Sequence, residues 1–460
     1  MKRVGLVLLI GAAAAALAGM GPDRASAQAG GADNAAIGAL TRAYNSSGQA
    51  LFRQFAGKPG NIVFSPYSIG TAMAMALSGA RGDTAAEMQR ALQHSLPVAG
   101  MEAANGQAMA ILNAYDHSAD PWTCPQAMTV NGHQCEAQPV AGARACNVTM
   151  RLEGGRCLGA ATPPRFAKLL AANALMLTRR GDAVSDAYAT LLRARYAADV
   201  FKGAGLGDIN AWVARKTEGK IDKILDALDE NSAAVLLNAV YFKARWATAF
   251  NPALTKDDMF SLSGAQKIKV PMMMRGDNLA FVARTGYRAI RLPYQIPQLG
   301  LVVVLPNDID GVTDTARRLD DGEIANLLAA LRAPTARKLV DLTLPRFGAR
   351  YDADLVPAFQ LAGMTKAFDS KAADFSGMTG KPVSAVRLYI GQIRHRAMID
   401  VAEESTEAAA ATAIAVVAAA ALREPPPQPE PFHVDHPFLF YLVDDAAGAI
   451  LFQGRIADPR

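Results

Sequence analysis

Apolar and polar positions alternate in several distinct rhythms along this chain of 460 residues. Residues 66–79 have helical character, with Pro66 in the first turn after a capping Ser65. Over 208–228, Ile209, Trp212, Val213, Ile221, Ile224 and Leu225 recur with a period near 3.6, interrupted around Gly219, which again predicts helix. Residues 299–305, LGLVVVL, form a short β-rich run ending at Pro306 and predict a buried strand. Residues 435–456 predict a hairpin turning through Asp444-Asp445-Ala446-Ala447-Gly448. Helical and strand rhythms are interleaved, so the chain reads as a mixture of helix and strand.

Two segments break these rhythms. Val4 to Leu17 is entirely apolar or Gly, follows Lys2 and Arg3, and leads to Ala25-Ser26-Ala27. That pattern predicts a secretory signal peptide, residues 1–27, cut after Ala27. The rival reading is a membrane anchor, for which the apolar run is short. The second segment is 401–422, VAEESTEAAAATAIAVVAAAAL, followed by EPPPQPEPF. The polyproline piece suits neither helix interior nor central strand. As a membrane helix, 408–422 would span only about 22 Å of a hydrocarbon core about 30 Å thick. As a surface helix it has high propensity but no stripe to dock it. As a conditional strand it would place Thr406, Ala408, Ala410, Thr412, Ile414 and Val416 on one face. The residues alone leave helix and strand open.

Charge and cysteine narrow the class. Loss of 1–27 removes Lys2, Arg3 and Arg24 against Asp23 and lowers the formal charge from +5 to about +3. So mild a surplus gives no argument for nucleic acid. Cys124, Cys135, Cys146 and Cys157 recur at intervals of 11 within a Gly- and Pro-rich segment, 116–164. An even count behind a signal peptide predicts two disulfides stapling a loop-rich insert, with three pairings possible. Zinc is the rival reading, but the close cysteine pairs it prefers are absent. No G-x-S-x-G elbow, H-E-x-x-H or P-loop occurs, so no enzyme is expected, and no cofactor or metal. The abundance of Ala and Arg hints at a GC-rich bacterial source.

Seven ordered blocks carry a family resemblance. EESTEAAAATA, from Glu403, resembles the hinge of the serpin reactive-centre loop, E-E-G-T-E-A-A-A-A-T. Asn61 to Ile69 (NIVFSPYSI), 236–250 (LLNAVYFKARWATAF), 270–274 (VPMMM), 344–351 (LPRFGARY), 361–378 (LAGMTKAFDSKAADFSGM) and 434–458 (VDHPFLFYLVDDAAGAILFQGRIAD) resemble further serpin blocks in the family's order. The match runs from about residue 34 to 460, apart from the cysteine-bearing insert. It implies one α+β, serpin-like domain over 28–460, with a large central mixed sheet, two further sheets, surrounding helices and an exposed loop at 403–431.

The resemblance also implies roles. A serpin traps a serine protease as an acyl-enzyme and then inserts its cleaved loop into the main sheet. The hinge would be Glu403, Glu404, Ser405, Thr406, Glu407, Ala408, Ala409 and Ala410, with Ser405 where the family usually has Gly. Family spacing places the reactive bond at Ala419–Ala420, which suits an elastase-like or subtilisin-like enzyme with a shallow pocket. A trypsin-like target would require a cut after Arg423. Arg346 is the implied partner of Glu403 near Trp246, at the breach where the loop enters. His395, Asn238, Ser65 and Ser68 would form a polar latch, the shutter, beneath the sheet. His433 and His436 read as structural.

The implied partner is therefore a target serine protease held covalently. Neither nucleic acid nor, after signal cleavage, a membrane is expected. The expected state is a secreted monomer, extracellular or periplasmic. Two alternatives stay open: a non-inhibitory serpin, binding or structural through its insert, and an inhibitor of papain-like cysteine proteases. The insert itself reads as an exosite, a partner dock or a passive elaboration.

Overall fold

The computed structural model of the protein describes residues 22–124, 128–137, 151–153, 156–162, 164–165, 167–177, 184–203, 205–227, 234–406 and 428–460. Outside them lie residues 1–21 of the signal segment, Cys146, Glu407 to Ala410, Ala419, Ala420 and Arg423. Among the described residues the strands form three sheets, of nine, six and four strands, with helices around them. This is the expected α+β architecture with a mixed central sheet.

The six-stranded sheet positions the site. Its order is Phe347–Asp354, Ile390–Val401, Ala234–Arg245, Ala167–Leu177 and Asp199–Lys202, with the short strand Ser405–Thr406 as the sixth. The two middle strands, Ile390–Val401 and Ala234–Arg245, run parallel, while their outer neighbours run antiparallel to them. Strand Ala234–Arg245 is buried on both faces, and this accounts for its nearly unbroken apolar run. Alternate residues go to opposite sides. Val235, Leu237, Ala239 and Tyr241 pack under helix Leu206–Lys216, while Leu236, Val240, Phe242 and Ala244 join the larger core.

Helix Pro66–Gly79 is buried along its whole length beneath this sheet. The Ser65 side chain caps it by accepting from Ser68 N, and Pro66 opens it, as the sequence predicts. Leu299–Pro306 is a fully buried strand, and Phe438–Asp444 with Ala449–Ile456 forms the expected hairpin.

In two places the sequence pattern and the fold part. The periodic run 208–228 is helical only to Lys216. Glu218 and Gly219 take positive φ and turn the chain, and Asn210 Oδ1 then accepts from Ile224 N and Leu225 N. Ile221, Ile224 and Leu225 still reach the same apolar cluster, so the period recorded burial and not helix. The insert is more ordered than a stapled loop. Thr129–Asn131, Gln134–Ala137, Arg156–Ala160 and Arg151–Glu153 form the four-stranded sheet, in that spatial order. Cys124 pairs with Cys135, which fixes one of the pairings left open, and Cys157 is disulfide-bonded as well.

Candidate functional site

The hinge enters the six-stranded sheet at its top. Ser405 and Thr406 pair antiparallel with Arg245 and Ala244. Just before them, Trp246 N donates to Glu404 O at 3.2 Å and Phe250 N to Glu403 O at 2.7 Å. The ladder between the two parallel strands extends only from Ile390↔Ala234 to Met398↔Tyr241. The hinge therefore starts a new strand directly above the seam of a parallel pair. Ser405 lies in a β-strand, an extended backbone conformation open to any residue.

Glu403 anchors that start. Its carboxylate accepts from Arg346 Nη2 and from Thr255 Oγ1, the latter at 2.8 Å. Burial opposes its ionisation, but the Arg346 and Thr255 hydrogen bonds outweigh burial and hold the carboxyl below its ordinary pKa. Trp246 is buried, donates Nε1–H to Ala402 O at 2.8 Å and stacks on Tyr294 at 4.5 Å between ring centres. Arg346 and Trp246 thus meet the loop at one point. Thr255, Phe250 and Tyr294 join them there. Phe250 closes the block 236–250, whereas Thr255 and Tyr294 carried no signal in the sequence, because each reaches the site from another part of the chain.

Lower in the seam, a polar cluster sits in an apolar core. His395 and Asn238 are register partners on the two parallel strands, and His395 Nδ1 meets Asn238 Oδ1 across the seam. Ser65 N donates to His395 Nε2 at 3.4 Å, so the ring is neutral with its proton on Nδ1. Burial pushes its pKa down to about 3. Asn238 Nδ2 donates to Ser68 Oγ at 2.6 Å and to Ser68 O at 3.1 Å, and Ser68 N donates to Ser65 Oγ. All four expected residues come together. Asn173, which the sequence reading did not single out, joins by accepting from Asn238 Nδ2. An asparagine inside the apolar strand Ala167–Leu177 was the available signal.

The other histidines do not form a site with these. His436 Nε2 donates to Pro306 O at 2.9 Å, and its Nδ1 faces Asp435 Oδ1. The exposed His433 ring lies 3.6 Å from Asp341. Among the described residues, no group of three or more His, Cys, Asp or Glu side chains is placed to hold a metal.

A mixed sheet with a loop hinge poised above a parallel seam defines a serpin. The family profile described as "Serpin (serine protease inhibitor)" matches residues 42–459, and the chain belongs to the serpin family. It is 30% identical over 428 residues to an uncharacterized serpin-like protein of Thermococcus kodakarensis, covering 92% of this chain and 86% of that one. It is 32% identical over 406 residues to the leukocyte elastase inhibitor of Bos taurus, covering 87% and 93%. Among solved structures, the native thermophilic serpin tengpin shares its fold, with a TM-score of 0.70 at 24% identity over 90% of this chain and 94% of that one.

Proposed function

We propose that this protein is a suicide inhibitor of serine proteases with elastase-like or subtilisin-like specificity. The observation that carries the reading is the pairing of Ser405 and Thr406 with Arg245 and Ala244 above the parallel seam. A strand continuing from that pairing would run antiparallel to both of its neighbours. It would replace one slanted parallel ladder by two antiparallel ones, a net gain of backbone hydrogen bonds. The loop's alternate residues, Thr406, Ala408, Ala410, Thr412, Ile414 and Val416, are small or β-branched and uncharged. None of them would stall insertion.

The chemistry belongs to the protease. Its serine Oγ attacks the carbonyl carbon of Ala419 and gives its proton to the catalytic histidine. The peptide bond to Ala420 breaks, and the freed amine leaves with that proton. The ester stays on Ala419. Insertion of residues 404–418 then carries the tethered protease along the sheet and deforms its active site before water can hydrolyse the ester. The bovine relative is named an elastase inhibitor, which supports the choice of target class. On this reading the protein acts as a secreted monomer.

Mixing the protein with pancreatic elastase, subtilisin, trypsin and papain in turn, followed by denaturing electrophoresis and mass spectrometry, tests it. The expected result is a band at the summed mass with elastase or subtilisin and a released peptide beginning near Ala420. Complete cleavage without an adduct by every enzyme would instead make the protein a substrate and favour a non-inhibitory role. An adduct with papain alone would move the target to cysteine proteases.

A further inference from the structure

The insert rejoins the molecule beside the hinge. Ala244 pairs with Ala167, just after the insert, on one side and with Thr406 on the other. Adjacent strands are about 4.8 Å apart, so the insert and the loop leave the sheet about 10 Å from each other. The insert's stem is held in place. Arg245 Nη1 donates to Pro164 O at 3.2 Å, Ala167 N donates to Tyr115 O at 3.0 Å, and Thr123 pairs with Thr162. A cleft of about 550 Å³ has the stem residues Thr162 and Arg165 in one wall and Ala247, Tyr294 and Arg337 in others. Arg337 opens the strand Arg337–Pro345, whose parallel partner Glu430–His433 is the far end of the reactive loop. Both described ends of the loop are therefore neighbours of the insert's stem.

The small sheet has two unlike faces. Register places Val130 opposite Cys135 and Cys135 opposite Gly159, with Leu152 opposite Cys157 and Cys157 opposite Ala137. These six share one face. The cysteines at its centre are buried, while Val130 and Leu152 at its two margins are 43% and 46% exposed. On the other face Glu136 accepts from Asn131 at 2.6 Å and from Arg156 at 2.9 Å. A folded, disulfide-bonded module thus shows apolar margins on one side and a polar network on the other.

We propose that this sheet is an exosite for the protease that the reactive loop captures, and that Val130 and Leu152 dock on an apolar patch beside the protease's active-site cleft. The inference rests on the inhibitory reading above. Position selects this occupant. A protease domain of about 220 residues has a radius of gyration of about 17 Å, more than the lateral offset of about 10 Å between the insert's stem and the hinge. A protease seated on the loop overhangs the insert. Contact there would speed capture by holding the enzyme over the reactive bond, without changing the chemistry.

The test compares the full-length protein with its V130D/L152D variant against pancreatic elastase or subtilisin, whichever forms the adduct. The expected result is a second-order rate constant of adduct formation lowered about tenfold. Stoichiometry and thermal midpoint should be unchanged, and R156A on the polar face should behave as the parent. If the aspartates lower the thermal midpoint, V130S/L152S decides instead. An unchanged rate in the folded variant, with the parent still forming adduct, overturns the exosite alone. A parent that forms no adduct with any protease of the panel overturns the inhibitory reading, and the exosite falls with it.

Discussion

Two neutral histidines set an acid limit on this fold. His395 is buried and held near pKa 3, and His94 is pushed to about 4 by burial, with neither ring nitrogen hydrogen-bonded. Unfolded histidine titrates near 6.5. Both folded pKa values are depressed, so the stability they contribute is fully present above about pH 6.5 and is lost as pH falls toward 4 and 3. By pH 5.5 the unfolded chain has gained nearly two protons that the folded one refuses, about 1.4 kcal/mol for each histidine. The denaturant midpoint should therefore drop between pH 7.5 and 5.5. H94F, which fills the place beside Tyr44 with an apolar ring, should remove about half of that slope. An unaltered slope in H94F would refute the assignment. At the breach, Glu403 is 5% exposed and Arg346 is its cationic partner. R346A should cost about 2 kcal/mol, because it removes the cationic partner of a nearly buried carboxylate. Guanidinium unfolding of the variant reads this directly. His395, Asn238, Ser65 and Ser68 were legible because motif blocks carry them. His94 was not, since a lone histidine in a short polar stretch looks like any surface residue.

Elements were legible where one force decided them. The hairpin and the strand Leu299–Pro306 follow from continuous burial. Helix Pro66–Gly79 follows from its cap. The segment 217–227 was misleading because its apolar residues are buried at helical spacing while tertiary hydrogen bonds to Asn210 hold a non-helical path. The insert hid its strands because each has only three to five residues, too few for a period to register. Two predictions belong to this scale. Thr406 belongs to the alternating set that would share one face of an inserted strand, and T406R would carry a charge into the sheet if the loop enters. Its adduct yield should fall in favour of cleaved, released inhibitor, read as the ratio of the two bands. An unchanged ratio would mean that the loop does not enter here. The Cys124–Cys135 bridge closes a short loop with a sequence separation of 11, which corresponds to about 2.5–3 kcal/mol of local stability. Reduction should expose the insert to limited proteolysis while the thermal midpoint of the main body stays in place, since the four-stranded sheet is separate from the other two.

The molecule as a whole sets the start of one strand over the seam of its central sheet. Its six-stranded sheet carries a parallel pair at its centre, crossed by the His395–Asn238 contact, with a strand already begun above it. Completing that strand would add about ten backbone hydrogen bonds, each worth about 0.5–1.5 kcal/mol net, and would bury the small apolar side chains of the loop. On the inhibitory reading the intact chain would store several kcal/mol, released when the loop is cut and one of its ends is freed. This can be tested without covalent capture. A zinc metalloprotease that cuts within 408–422 uses a metal-activated water and leaves no acyl ester, so it nicks the loop and departs. The nicked protein should unfold at least about 10 °C higher than the intact one. It should also no longer form an adduct with elastase, because the strand that would drag the enzyme has already been used. A nicked protein with the midpoint of the intact one would show that the seam does not accept the loop. In that case the Ser405–Arg245 pairing would be an anchor for a static loop and not the first step of insertion.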